Sequence, residues 1–219
     1  MRGSSTAGRR MRLLELFSGT KSVQKAVGHL FEEVISIDIL PQYEPTECVN
    51  ILEWDYKKYP PGYFSAIWAS PPCTEYSKAK TRGTRNLSLA DSIVLRTLEI
   101  LDYFQPDKWF LENPQTGMLK DREFMWGLPF VDADYCKYGY SYRKRTRFWT
   151  NQDVVLKLCK KDCPFFVNGS HLSNCGNGYT SDTKTDSIYS GKKRTDKIFK
   201  KEEKYSIPQD LIKELFQVS

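Results

Sequence analysis

The chain has 219 residues, 40 % of them hydrophobic and 27 % charged, and a formal net charge of +6. At roughly 150 residues per domain that is one or two domains with enough apolar content for a core, which excludes wholesale disorder. No apolar run approaches the ~18 residues that span a bilayer, and the polar, basic start from Met1 to Met11 lacks the apolar centre of a secretory signal.

Residues 1–11 are read as a loose or tag-like tail, outside the fold. Arg12 to Phe17 is a short apolar strand that runs into Ser18-Gly19-Thr20 and then a helical stripe of Val23, Ala26, Val27 and Leu30. Glu33 to Ile39 is a second strand, carried by Val34, Ile35, Ile37 and Ile39. A Pro-containing turn follows, with a short helix expected over Trp54 to Tyr59. Phe64 to Ala69 reads as a buried strand ending at Ser70-Pro71-Pro72, and a polar, basic loop then runs to about Asn86. Leu89 to Phe104 is the clearest helix, with Ile93, Thr97, Ile100, Leu101 and Phe104 on one face. Trp109 to Leu111 is a strand closed by Glu112-Asn113-Pro114, and Phe130 to Tyr138 and Arg145 to Trp149 form a last strand pair. This rhythm predicts an α/β domain over residues 12–151 with a largely parallel sheet. From Gln152 the composition shifts to Lys, Asn, Gly, Ser and Asp. Residues 152–219 are read as a small C-terminal region ending in a helix from Pro208 to Phe216.

In such sheets ligands sit beyond the carboxyl ends of the strands. Three motifs fall there: Phe17-Ser18-Gly19, Ser70-Pro71-Pro72-Cys73 and Glu112-Asn113-Pro114. The first turn brings Gly19 and free backbone N–H groups to a helix start, which suits a nucleotide-like cofactor or an ordinary tight turn equally. Asp38, about 20 residues after that turn, suits ribose hydroxyls. Pro71-Pro72 stiffen the chain that presents Cys73, either a nucleophile or an inert loop thiol. Glu112 brings a carboxyl to a neighbouring strand end; a surface turn is the plainer reading. Together a thiol and a carboxyl suit addition to a polarised ring, sulfur attacking carbon while the carboxyl protonates or holds a ring nitrogen.

These residues resemble the DNA (cytosine-5)-methyltransferases, in particular the compact members of phages and large viruses. Phe17-Ser18-Gly19 is similar to the first cofactor motif, Asp38 to the second and Pro71-Pro72-Cys73 to the nucleophile motif. Glu112-Asn113-Pro114 resembles the Glu-Asn-Val motif, and Arg143 to Arg147 resembles the Gln-x-Arg-x-Arg motif with Arg143 in the Gln place. The likeness covers Leu13 to Trp149. It implies a Rossmann-like methyltransferase sheet with helices on both faces. It also implies S-adenosylmethionine as methyl donor, held by Phe17, Ser18, Gly19, Thr20, Asp38, Ile39, Asn50, Ser70 and Pro71. Further, it implies Cys73 adding to C6 of a cytosine flipped out of duplex DNA, Glu112 at N3, and Arg145 and Arg147 near the base and its backbone. The chain departs from the family at Lys21, where a second Gly is usual, and at Asn50, where an acid often meets the adenine. A full target-recognition region does not fit comfortably after Trp149.

Cys159-x3-Cys163-x7-His171-x3-Cys175 offers four ligands for a structural, tetrahedral zinc, against scattered loop thiols. The His-x-Glu and Pro-Cys-x-x-Cys of cytidine deaminases are absent, which counts against a deaminase. From Lys137 to Arg147 basic residues interleave with Tyr138, Tyr140 and Tyr142, a mixture that suits nucleic acid or a Tyr-rich strand edge. The sequence leads to a methyltransferase acting on cytosine C5 of DNA, without a membrane partner, in a reducing intracellular compartment; its oligomeric state is left open. The alternatives are a nucleic-acid-binding paralogue with little activity and the same chemistry on RNA or free nucleotides.

Overall fold

The computed structural model describes residues 10–172 and 205–217. The expected N-terminal tail therefore lies almost wholly outside the described residues. Seven strands form one sheet: β1 (Arg12–Leu16), β2 (Glu33–Asp38), β3 (Glu47–Cys48), β4 (Ala66–Ala69), β5 (Lys108–Pro114), β6 (Phe130–Asp134) and β7 (Arg145–Thr150). Their order is β3-β2-β1-β4-β5-β7-β6, with β1 to β5 parallel and β7 inserted antiparallel between β5 and β6. Strand order reverses between β1 and β4, so a crevice opens at their carboxyl ends. This is the Rossmann-like methyltransferase sheet that the resemblance implies.

Alternation along the strands feeds two apolar layers. Leu13, Trp68, Phe110 and Phe148 face the helices α1 (Ser22–Val27) and α3 (Gln209–Phe216). Leu14, Leu16, Ile67, Leu111 and Trp149 face α2 (Leu87–Phe104). In α2 the Asn86 carboxamide caps the first turn by accepting from the Leu89 N–H at 3.1 Å, and Ala90, Val94, Thr97, Ile100, Leu101 and Phe104 form its buried stripe. The chain leaves the helix at Gln105, in the left-handed region at φ 45°.

Where structure and expectation differ, the reasons are local. The strand expected to reach Tyr138 stops at Asp134, and Tyr135–Tyr138 winds into a tight 3-10 turn that buries Tyr135, Cys136 and Tyr138. The helix expected near Trp54 is a 3-10 turn over Tyr56–Lys58. After β7 the chain forms a small hairpin, β8 (Phe166–Val167) and β9 (Ser170–His171). Helix α3 then docks on α1, where the Ile207 N–H donates to Ser22 Oγ at 3.2 Å. Among the described residues no helix is long and apolar enough to cross a membrane.

Candidate functional site

A cavity of about 400 Å³ lies at the carboxyl ends of β1, β2, β4 and β5. Phe17, Ser18, Gly19, Thr20, Asp38, Ile39, Asn50, Ser70 and Pro71 all line it, together with Cys73 and Glu112. Motifs spread over about a hundred residues of chain thus meet in one crevice, as a parallel sheet with a switch point dictates.

The turn after β1 is conformationally unusual. Phe17, Gly19 and Lys21 take positive φ values of 57°, 42° and 56°. Lys21, in the place of the family's second Gly, keeps the left-handed backbone at a cost of about 1–2 kcal/mol. Three devices hold the turn. The Gly19 N–H donates to Asp38 Oδ2 at 2.8 Å, while the Leu40 N–H donates to Oδ1 at 2.9 Å. Lys21 Nζ donates to the Glu44 carbonyl. The Glu15 carboxylate, 2 % exposed in the middle of β1, accepts the Val23 and Gln24 N–H groups that open α1. Burial pushes Glu15 up to about 7 despite those two bonds. The carboxylate of Asp38 still has lone pairs for a diol, and the exposed Ile39 offers an apolar face beside it. Asn50 lines the same end, although its Oδ1 already accepts from the Leu52 N–H at 3.1 Å.

At the other end Cys73 stands half-buried on the Pro71-Pro72 loop. The Asn113 carboxamide donates to the Pro71 carbonyl at 3.0 Å, so the strand that carries Glu112 also grips the loop that carries the thiol. Glu112 is 7 % exposed, and its Oε1 makes no hydrogen bond among the described residues; Lys144 Nζ lies 3.8 Å away, an ion pair beyond hydrogen-bond reach. Burial pushes the Cys73 thiol up, the nearby Glu112 carboxylate adds to that, and Lys144 pulls it partly back. Cys73, Glu112 and Lys144 are thus one electrostatic unit. Beyond Cys73 the basic loop is braced rather than loose: the Lys80 ammonium pairs with Glu75, and the Arg85 guanidinium donates to the carbonyls of Glu75, Ser77 and Lys80.

Arg145 and Arg147 do not line the cavity. In the β5–β7 ladder Glu112 lies opposite Phe148 and Asn113 opposite Arg147, so alternation puts Arg145 and Arg147 on the sheet face away from Glu112. Each makes a two-toothed pair on β6, Arg145 with Asp134 at 2.6 and 3.0 Å and Arg147 with Asp132 at 2.8 and 3.0 Å. The residue of the right parity is Lys144, which sequence reading passed over inside the basic run. Lys137 and Arg143 pair with Asp162 and Asp134, and Tyr135, Tyr138 and Tyr142 are buried, so these members of the basic–aromatic stretch are engaged within the fold. Of the proposed metal ligands, Cys159, Cys163 and His171 gather in one cluster; Cys175 lies outside the described residues, and the fourth member found there is Cys136.

No protein-family model matches the chain. It is 39 % identical over 171 residues to a protein of Frog virus 3 (isolate Goorha) described as "Probable DNA (cytosine-5)-methyltransferase", covering 70 % of this chain and 78 % of that protein. Among solved structures it is similar to the Dnmt2 methyltransferase of S. pombe, with a TM-score of 0.48, 16 % identity, and coverage of 70 % of this chain and 57 % of that one. It is also similar to a putative DNA modification methyltransferase of an E. coli prophage, with a TM-score of 0.48, 14 % identity, and coverage of 64 % and 46 %. The chain spans little more than half the length of the S. pombe structure. Its identity to the viral protein over most of both chains fixes its kinship: the chain belongs to the DNA (cytosine-5)-methyltransferase family.

Proposed function

We propose that the protein transfers a methyl group from S-adenosylmethionine to C5 of cytosine in DNA, with Cys73 as nucleophile and Glu112 as the acid. The observation that carries this reading is that Cys73 and Glu112 line the same cavity as the whole expected donor-binding set. The fit of the donor rests on the backbone turn at Gly19, the two-sided hold on Asp38 and the apolar Ile39 beside it. When bound, the donor supplies an electrophilic methyl group on sulfur. The chain's residues supply the rest. The Cys73 thiolate adds to C6 of an extruded cytosine while the Glu112 carboxyl holds a proton at N3, and the electron pair displaced to C5 becomes nucleophilic. After methyl transfer, loss of the C5 proton expels the thiolate.

Opposing charges bear on the Cys73 sulfur. Burial and the Glu112 carboxylate both favour the Cys73 thiol over its thiolate, and Lys144 works in the opposite direction, towards the attacking form. Arg145 and Arg147 act here as positioning residues, tying β7 to β6 through Asp134 and Asp132. A zinc ion on Cys159, Cys163 and His171 is the structural cofactor of the region after β7. The free thiols of Cys73 and of that cluster suit a reducing intracellular compartment.

The test is methyl transfer from a tritiated donor to cytosine-rich DNA. Wild-type protein should incorporate label, and Cys73→Ala should lower incorporation by roughly 10³-fold or more while keeping the fold and donor binding. Donor binding without transfer to any duplex or single strand would point instead to a binding paralogue. Label in RNA or dCMP but not in DNA would overturn the substrate assignment.

A further inference from the structure

We infer that Cys136 completes the zinc site, so that Cys136, Cys159, Cys163 and His171 hold one zinc(II) ion that fastens the chain after β7 to the end of β6. This inference rests on the zinc proposal above and is independent of the methyl-transfer reading.

The four ligand atoms all lie within 4.8 Å of one another, and Cys159 Sγ is 3.5 Å from His171 Nε2. A tetrahedral Cys3His centre has edges of roughly 3.4–3.8 Å, so a small contraction seats the ion. The three cysteines are free thiols, not a disulfide, and all three are buried. One cation at the centre of three such close-set sulfurs and a ring nitrogen would neutralise their thiolates.

The four ligands come from three local devices. Cys136 sits in the 3-10 turn that ends β6, Cys159 and Cys163 flank a tight loop with Lys161 at φ 70°, and His171 is carried by the β8–β9 hairpin with its ring edge-on to Phe166. The surroundings are those of a ligand shell. The Cys159 N–H donates to Asp134 Oδ2 at 2.8 Å, which fixes the loop that carries the sulfur. Four protein ligands leave no open position, which marks a structural site, not a catalytic one. The need for such a clamp is visible in the packing. Among the described residues, the cluster gathers only Phe165 and Phe166 besides the three cysteines, little apolar surface to hold a segment in place.

The experiment uses the full chain, purified in reductant without chelator. Elemental analysis should give about one zinc per chain. X-ray absorption of the bound zinc should show three sulfur neighbours and one nitrogen. Cys175→Ser should keep the metal and that 3S/1N shell, whereas Cys136→Ser should lower zinc content by roughly tenfold or more at equal chelator challenge. Should Cys136→Ser fail to fold, the unchanged 3S/1N shell of Cys175→Ser carries the assignment instead. Loss of a sulfur neighbour in Cys175→Ser, or full zinc retention in folded Cys136→Ser, overturns Cys136 as ligand and leaves the zinc proposal standing. Absence of zinc from wild type, with none taken up on addition, overturns both.

Discussion

The two ends of the cavity are built differently. At the donor end, the turn after β1 is over-determined: Asp38 receives two backbone N–H groups, Glu15 receives two more, and Lys21 is tied to Glu44. At the reacting end, Glu112 Oε1 and Asn113 Oδ1 are buried and make no hydrogen bond among the described residues. A cradle whose backbone is already held gains from that pre-organisation, while its buried Ser18 Oγ, which makes no hydrogen bond among the described residues, is left for the ligand. A group that must exchange a proton with a substrate needs its lone pair free for that partner. The contrast predicts that changes at the reacting end act on rate, and changes at the donor end on stability.

Glu112→Gln gives the strongest test of that contrast. It should lower methyl transfer by about 10²–10⁴-fold with donor affinity unchanged. It should also raise the rate at which Cys73 is alkylated near pH 8, because removing the carboxylate removes the second cause of the raised thiol. Slower alkylation of the variant would show that Glu112 does not act on the sulfur. A smaller effect is expected from Asn113→Ala, which frees the Pro71 carbonyl and should cost about 1–3 kcal/mol in denaturant unfolding, with a larger loss in turnover than in donor binding. Equal losses in both would mean that the bond serves only the fold.

The smallest effect belongs to Glu15. Its folded value of about 7 lies above the ordinary 4.5, so between those limits the folded chain binds more protons than the unfolded one. Stability contributed by the protonated form is therefore lost as pH rises from 4.5 through 7, by at most about 3 kcal/mol. Glu15→Gln should flatten the dependence of Tm on pH across that window. An unchanged slope would assign the pH dependence to other groups.

Much of this was legible in the sequence, for physical reasons. The stripe of α2, the strands β1, β2, β4 and β5, and the three motifs at their ends follow from periodicity and from the rule that parallel sheets bind ligands at strand carboxyl ends. What stayed hidden depends on pairing across the chain. Strand β3 has two residues, too few for any alternation to show. The choice of Lys144 over Arg145 and Arg147 is set by which residue of β7 lies opposite Glu112 on β5, a register no local pattern encodes. Glu15 looks like a polar interruption of an apolar strand until α1 is seen to start on it. Cys136 is separated from Cys159 by a whole strand, so spacing alone could not join them.

Tyr205 and Ile207, which lead into α3, stand in the wall of the cavity. The helix that follows is held by its packing on α1, and α1 begins at the turn after β1 that lines the same cavity. If the proposed donor sits against Tyr205 and Ile207, linkage runs in both directions: its binding would tighten the docking of the terminal helix, and undocking that helix would lower its affinity by the same factor.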